Sequence, residues 1–169
     1  MIKTNEIQIE NASIHDAEEI LELQKAAFLG QAQIYNNFRL PPLVQTIESI
    51  KDEFASKTFL KATFSNQIIA SVKFRSSGNV VHIDRLIVYP TFQNQGVGTY
   101  LMRTLEDRFP SSVVFQLFTG EKSSRNVHLY TKLGFQLVRK EITDQGIVLV
   151  HMEKHHNKDR QADAADAQQ

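Results

Sequence analysis

Gln93, Gly96 and Gly98 are spaced to hold an anion. They lie in the run Leu86-Ile87-Val88-Tyr89-Pro90-Thr91-Phe92-Gln93-Asn94-Gln95-Gly96-Val97-Gly98-Thr99. A β-branched stretch stops at Pro90, a polar loop follows, and two glycines open a segment of helical periodicity. The first N–H groups of a helix have no intrahelical acceptor, and the aligned peptide dipoles place partial positive charge there. Glycine lets a bulky anion approach that backbone, because no Cβ intervenes. The chemistry implied is pyrophosphate binding.

Two familiar glycine loops do not fit. A P-loop carries Lys before its Ser or Thr, whereas Thr99 follows Gly98 directly. The dinucleotide fingerprint needs a third glycine that is missing here. What remains is Gln93-x-x-Gly96-x-Gly98 between a strand and a helix. A second block reads Ser123-Ser124-Arg125-Asn126-Val127-His128-Leu129-Tyr130-Thr131-Lys132-Leu133-Gly134-Phe135. Asn126 and Tyr130 are four apart and share a helix face. Ser123 or Ser124 can cap the start, and Gly134 can end the helix. Together these blocks resemble the GNAT N-acetyltransferase superfamily, with its Gln/Arg-x-x-Gly-x-Gly/Ala acyl-coenzyme A loop and its later Asn and Tyr-x-x-x-Gly-Phe. The resemblance covers roughly residues 8 to 153.

The resemblance implies acetyl-coenzyme A as cofactor and direct transfer of its acetyl group to a primary amine. A lysine-like amine has a pKa of about 10.4, so near pH 7.4 about one in a thousand is neutral, and reaching that state costs roughly 4 kcal/mol. A base is therefore useful. Family members with a catalytic glutamate carry it eleven residues before the loop's Gln, where this chain has His82; others have an acidic residue nearer Asp84. His82 and Asp84 are two apart, so regular alternation puts them on one side of the sheet. The base is His82, Asp84 or a water chain. Tyr130 matches the family's general acid, which protonates the departing thiolate. Asn126 would bond the cofactor arm, and Leu86, Ile87 and Val88 would pair with its amides like an added strand. The N–H of Val88 would meet the carbonyl oxygen. Gln93, Asn94, Gln95, Gly96, Val97, Gly98 and Thr99 would wrap the pyrophosphate, with Arg103, Lys122 and Arg125 as candidates for the adenosine phosphate.

The elements that must position these groups follow from periodicity. Ile7-Gln8-Ile9 alternates as a first strand. Ser13 with Asp16 is a capping-box-like start for a helix carrying Ile20, Leu23 and Ala27, ending at Gly30. A second helix is expected at roughly 43–56. Strands are expected at 59–64, 68–75 and 80–89. The helix after the loop carries Val97, Leu101, Leu105 and Phe109, and Pro110 stops it. A strand over 113–118, the Asn126 helix, and a hairpin of 135–142 with 147–152 complete the order. The fold class is α/β, a mixed sheet of about seven mostly antiparallel, twisted strands with helices on both faces. In the GNAT fold the fourth and fifth strands splay apart to admit the cofactor arm; here these would be 80–89 and 113–118.

Nineteen basic and nineteen acidic residues cancel, and no long basic run suits nucleic acid. Without cysteine, an acyl-cysteine intermediate is impossible. No apolar run reaches membrane-spanning length, and Met1-Ile2-Lys3 begins no signal peptide. A cytoplasmic monomer or homodimer is expected, with residues 1–154 as one domain and 155–169 as a polar, disordered tail or frayed helix. The pair His155-His156 lacks metal-ligating partners in that tail. The expected acceptor is a small-molecule amine, with Arg39 of the 31–42 segment able to hold a carboxylate. The alternatives are a protein N-terminus or lysine as acceptor, which needs an open groove, and a non-catalytic acyl-coenzyme A sensing domain.

Overall fold

The computed structural model describes residues 1–157. Seven strands form one sheet: β1 (Gln8–Asn11), β2 (Thr58–Phe64), β3 (Gln67–Ser77), β4 (Val80–Val88), β5 (Val114–Gly120), β6 (Gln136–Ile142) and β7 (Val148–His155). Their order across the sheet is β1-β2-β3-β4-β5-β7-β6. Every neighbouring pair is antiparallel except β4 and β5, which run parallel. This is the expected mixed α/β architecture.

Five helices cover the two faces: α1 (Ala17–Tyr35), α2 (Pro41–Val44), α3 (Ile47–Glu53), α4 (Val97–Glu106) and α5 (Ser124–Lys132). Ile20, Leu21 and Leu23 of α1 and Ile50 of α3 pack with Phe59, Ile68 and Ile87 on one face. Val97, Leu101, Met102 and Leu105 of α4 pack with Val72, Phe74, Val81, Ile83 and Phe115 on the other, and Tyr130 of α5 joins them. Of the expected four-apart set, Val97, Leu101 and Leu105 form the buried stripe of α4, whereas the helix ends at Glu106, before Pro110, and Phe109 lies beyond it, partly buried.

Three local expectations need correction. The first helix does not end at Gly30; it runs on to Tyr35, and Asn36 closes it in the left-handed conformation at φ 48°. A glycine inside a helix costs about 1 kcal/mol relative to alanine. Burial of Ala32 and the tie between Tyr35 Oη and the N–H of Lys122, 2.9 Å away, offset it. The second helix is split, because Gln45 is extended (ψ 135°) and Thr46 caps α3 by accepting from the N–H of Ser49. At the C-terminal boundary, His155 is the last residue of β7. His156 is buried, donating its backbone N–H to the Val113 carbonyl at 2.9 Å. The ordered chain therefore passes the expected boundary at 154. The rest of the expected tail, 158–169, lies outside the described residues.

Candidate active site

The site is built where β4 and β5 part. They pair only from Val80 opposite Val114 to His82 opposite Gln116. Beyond that point β4 continues to Val88 and β5 to Gly120 without pairing, which is the splay the resemblance implied. On the other side of β4, the N–H of Tyr89 donates to the Ile69 carbonyl at 2.8 Å. In an antiparallel ladder, bonded and non-bonded pairs alternate. With Val88 opposite Ala70 and Leu86 opposite Val72, both residues turn their N–H and C=O away from β3, toward the gap. Among the described residues no strand meets them there.

A bulge sets what the middle of β4 presents. Lys73 stands opposite Arg85 and Phe74 opposite Ile83, so Asp84 is an extra residue in β4. Val81 and Ile83 pack on the α4 side, and beyond the bulge Leu86 and Val88 do so, while Ile87 joins the α1 and α3 side. The alternation changes phase at Asp84, so parity counted from His82 does not carry past it.

The glycine loop follows directly. Gln93 donates Nε2 to the Val88 carbonyl at 2.9 Å, and Arg125 donates to Gln93 Oε1. Asn94 and Gly96 take positive φ, 59° and 81°. The second value is one that residues with a Cβ rarely adopt. Gly98 would tolerate a Cβ, which would find Leu86 and Leu129 at 3.5 Å, an ordinary contact. The fold's own packing therefore does not require a glycine there. The helix α4 begins at Val97, and its first N–H groups point into the loop without helical acceptors.

Two cavities flank this framework. The smaller, about 340 Å³, is bounded by Leu86, Ile87 and Val88 of β4, by Gln93, Asn94, Gly96, Val97, Gly98 and Thr99, and by Asn126. Arg125, His128 and Lys132 line it, and among the described residues no carboxylate does. Gln95 is the one expected loop residue that does not line it. Its side chain instead accepts from the N–H of Ile2 at 3.2 Å and donates to the Thr91 carbonyl at 2.9 Å. Among the residues considered for an adenosine phosphate, Arg125 lines this cavity and Arg103 and Lys122 do not. His128 and Lys132 were missed; both follow Arg125 along the same helix, which was the available signal.

The larger cavity, about 500 Å³, is bounded by Tyr35, Leu40, Pro41 and Pro42, by Asp84 and Arg85, by Phe118 to Gly120, by Tyr130, and by the β6–β7 turn. The two cavities share Phe28, Gln31, Leu86 and Asn126. Asn126 donates weakly to Thr119 Oγ1 at 3.4 Å. Tyr130 is 6% exposed and stacks edge-on against Phe135 with ring centres 5.9 Å apart. Burial pushes its phenol well above the usual pKa. Its hydroxyl has no hydrogen-bond partner among the described residues. His82 is half-buried and lines neither cavity. Arg39 is exposed and lines neither.

Asp84 belongs to a cluster of charges beneath the larger cavity. Its carboxylate pairs with Lys57, which also reaches Glu53 at 2.7 Å. Lys73, 4% exposed, reaches Glu53 at 2.5 Å. Burial would raise the pKa of Glu53, but bonds from Lys57, Lys73 and Gln45 and the charge of Lys73 outweigh it and bring the value to about 2. Burial and then the charge of Arg85 lower Lys73 to about 8, against the pull of Glu53.

The fold is similar to that of solved structures. The PaiA N-acetyltransferase of Thermoplasma acidophilum, solved with coenzyme A, superposes with a TM-score of 0.70 at 21% identity, over 88% of this chain and 98% of that one. The ribosomal-protein-S18-alanine N-acetyltransferase of Escherichia coli gives 0.69 at 16%, over 89% and 94%. In sequence, the UPF0157 protein YqkA of Bacillus subtilis is 25% identical over 133 residues, 79% of this chain. That match spans 38% of YqkA's length. The acetyltransferase (GNAT) domain model matches residues 26–156, covering the splayed strands, the glycine loop and the Tyr130 helix, and the chain belongs to the GNAT acetyltransferase family.

Proposed function

We propose that this chain is an acetyl-coenzyme A-dependent N-acetyltransferase that moves the acetyl group directly to a primary amine of a small molecule. The observation that carries the reading is the open edge of β4. Leu86 aims its N–H and C=O, and Val88 its N–H, into a gap that joins both cavities, and the free N–H groups of α4 lie at its outer end.

These residues fit the cofactor. The smaller cavity joins an uncovered helix N-terminus, the glycine backbone and three basic side chains, which suits a pyrophosphate. The edge of β4 suits the amides of an extended arm. Bound there, acetyl-coenzyme A supplies an acetyl thioester for attack by nitrogen. The N–H of Val88 is a donor for an oxygen gaining charge in the gap. Asp84, in the larger cavity, can take the proton that the amine must lose, directly or through water. Tyr130 keeps its proton at neutral pH and can give it to a departing thiolate.

Asn37 Nδ2 donates to Gln145 Oε1 at 2.8 Å, bridging the end of α1 to the β6–β7 turn beside the larger cavity. A bridged cavity of this size favours a small acceptor over a protein segment, which needs an open groove. Thermal unfolding with and without acetyl-coenzyme A, followed by thiol release across an amine panel, tests the proposal. Stabilisation with amine-dependent release supports it. Stabilisation without release points to a sensing domain, and no stabilisation removes the cofactor assignment.

A further inference from the structure

Arg85 lines the larger cavity, yet it forms no ion pair within 4 Å among the described residues. Its Nη1 donates to Gln45 Oε1 at 2.9 Å and to Gln24 Oε1 at 3.2 Å. Gln24 is 1% exposed, and its Nε2 is fixed by the Pro42 carbonyl at 2.9 Å and by Gln45 Oε1 at 2.8 Å. Two amide oxygens thus orient the guanidinium without neutralising it. The carboxylates that could do so are engaged elsewhere: Glu53 holds Lys57 and Lys73, and Asp84 holds Lys57. Among the described residues of this cluster three cations face two carboxylates, and the unmatched positive charge lies at the cavity wall. Asp144 also lines this cavity, but it is exposed on the β6–β7 turn, where water screens it. A cation removed from water and left unpaired is costly, and an arriving anion relieves that cost.

Resting on the proposed N-acetyltransferase reading, we infer that the acceptor is an amino carboxylate whose carboxylate is held by Arg85 while its amine reaches the gap at Leu86. Arg85 and Leu86 both line the larger cavity, and Leu86 also borders the smaller one. A carboxylate at one and an amine at the other suit a short amino acid. The planar guanidinium offers its remaining N–H groups as a fork matched to a carboxylate. Transfer forms the acceptor's C–N bond as the C–S bond breaks. The amine's proton goes to the base and the thiolate takes one from the acid, leaving an N-acetyl amino acid and coenzyme A.

The test compares amine acceptors matched in all but the carboxylate. Free α- and β-amino acids, their amides and the corresponding decarboxylated amines are supplied with acetyl-coenzyme A, and thiol release is followed for the full chain. The expected result is a kcat/KM at least about tenfold higher for the carboxylates, scaled to one charge-assisted hydrogen-bonded contact. In Arg85→Gln that preference collapses, carried by KM. In Arg85→Lys, which keeps charge but not the fork, it is partly retained. Circular dichroism and acetyl-coenzyme A affinity establish that each variant is folded. If Arg85→Gln does not fold, the wild-type comparison decides alone. Transfer to amides and plain amines as fast as to amino acids overturns the inference and leaves the acetyltransferase reading standing. Cofactor binding without transfer to any acceptor overturns both.

Discussion

Gln93 and Val88 are joined by a 2.9 Å hydrogen bond from the side-chain amide to the backbone carbonyl. The bond ties the loop to the end of β4 and occupies the carbonyl of the residue whose N–H faces the gap. Arg125 holds the other end of the Gln93 amide, so one side chain links strand, loop and α5. Gln93→Ala should weaken acetyl-coenzyme A binding about tenfold, the scale of one or two lost hydrogen bonds. Calorimetric titration checks this, and an unchanged affinity would remove Gln93 from the binding loop.

Gly96 has φ 81° and open space around the position of a Cβ. A side chain there pays about 1–2 kcal/mol for the left-handed backbone. Gly96→Glu adds a negative charge where the helix N-terminus calls for an anion of its own. We expect modest loss of thermal stability and a fall in cofactor affinity of about 100-fold or more. Unfolding scans and calorimetry separate the two effects. Loss of stability with full affinity would place the pyrophosphate elsewhere.

Tyr130 is buried with a hydroxyl that bonds no other described side chain or backbone group. Tyr130→Phe should therefore leave the melting temperature unchanged, since no protein hydrogen bond is broken. If the phenol is the acid, kcat falls about 100-fold with cofactor affinity intact. The raised pKa keeps the phenol protonated through neutral and mildly basic pH, so the wild type should show no loss of acid function there. Stopped-flow thiol release checks the rate, and wild-type kinetics in the variant would assign Tyr130 to packing alone.

The parts of this site that were legible in the sequence are local. Gly96 needs its φ, Gln93 sits five residues after Val88, and Tyr130 sits one turn after Asn126. What was illegible depends on partners distant in the chain. The bulge at Asp84 arises from its register with Lys73, eleven residues away on β3. Helix α1 passes Gly30 because Tyr35 meets Lys122, 87 residues later. Arg39 is a carboxylate candidate in sequence because residues 31–42 lie where the family builds its acceptor wall, whereas Arg85 is drawn to the cavity by glutamines on α1 and before α3. Gln95 shares the loop's polarity but is claimed by the backbone of Ile2.

Glu53 joins α3 to the buried Lys73. Its pKa falls from an ordinary 4.5 to about 2 in the folded chain. A depressed carboxylate contributes stability that is complete above its unfolded pKa and is lost as pH falls through the folded value. Lys73 is lowered to about 8, so its charged form is disfavoured in the fold, and stability should rise from about pH 8 toward 10.5 as it sheds its proton. Glu53→Gln should flatten the acid side of the stability profile between about pH 2 and 4.5 and lower stability near neutrality. Urea unfolding across pH checks both. An unaltered acid limb would show that other carboxylates govern acid unfolding.

Asp84 and His82 separate as candidate bases by where they face. Asp84 lines the larger cavity beside Arg85, and His82 lines neither cavity. Its pairing with Lys57 also gives Asp84 a fixed direction, which a proton acceptor needs. Asp84→Asn should lower kcat/KM by about 100-fold and flatten its rise with pH, since the amide cannot take the proton. His82→Gln should keep the wild-type profile. The control is Lys57→Met, which removes the ion pair but keeps the carboxylate: it should retain far more activity than Asp84→Asn. A flat profile in His82→Gln would move the role to the histidine despite its distance from the cavity. Wild-type profiles in both variants would leave proton removal to a chain of waters, with Asp84 serving the charge balance around Arg85.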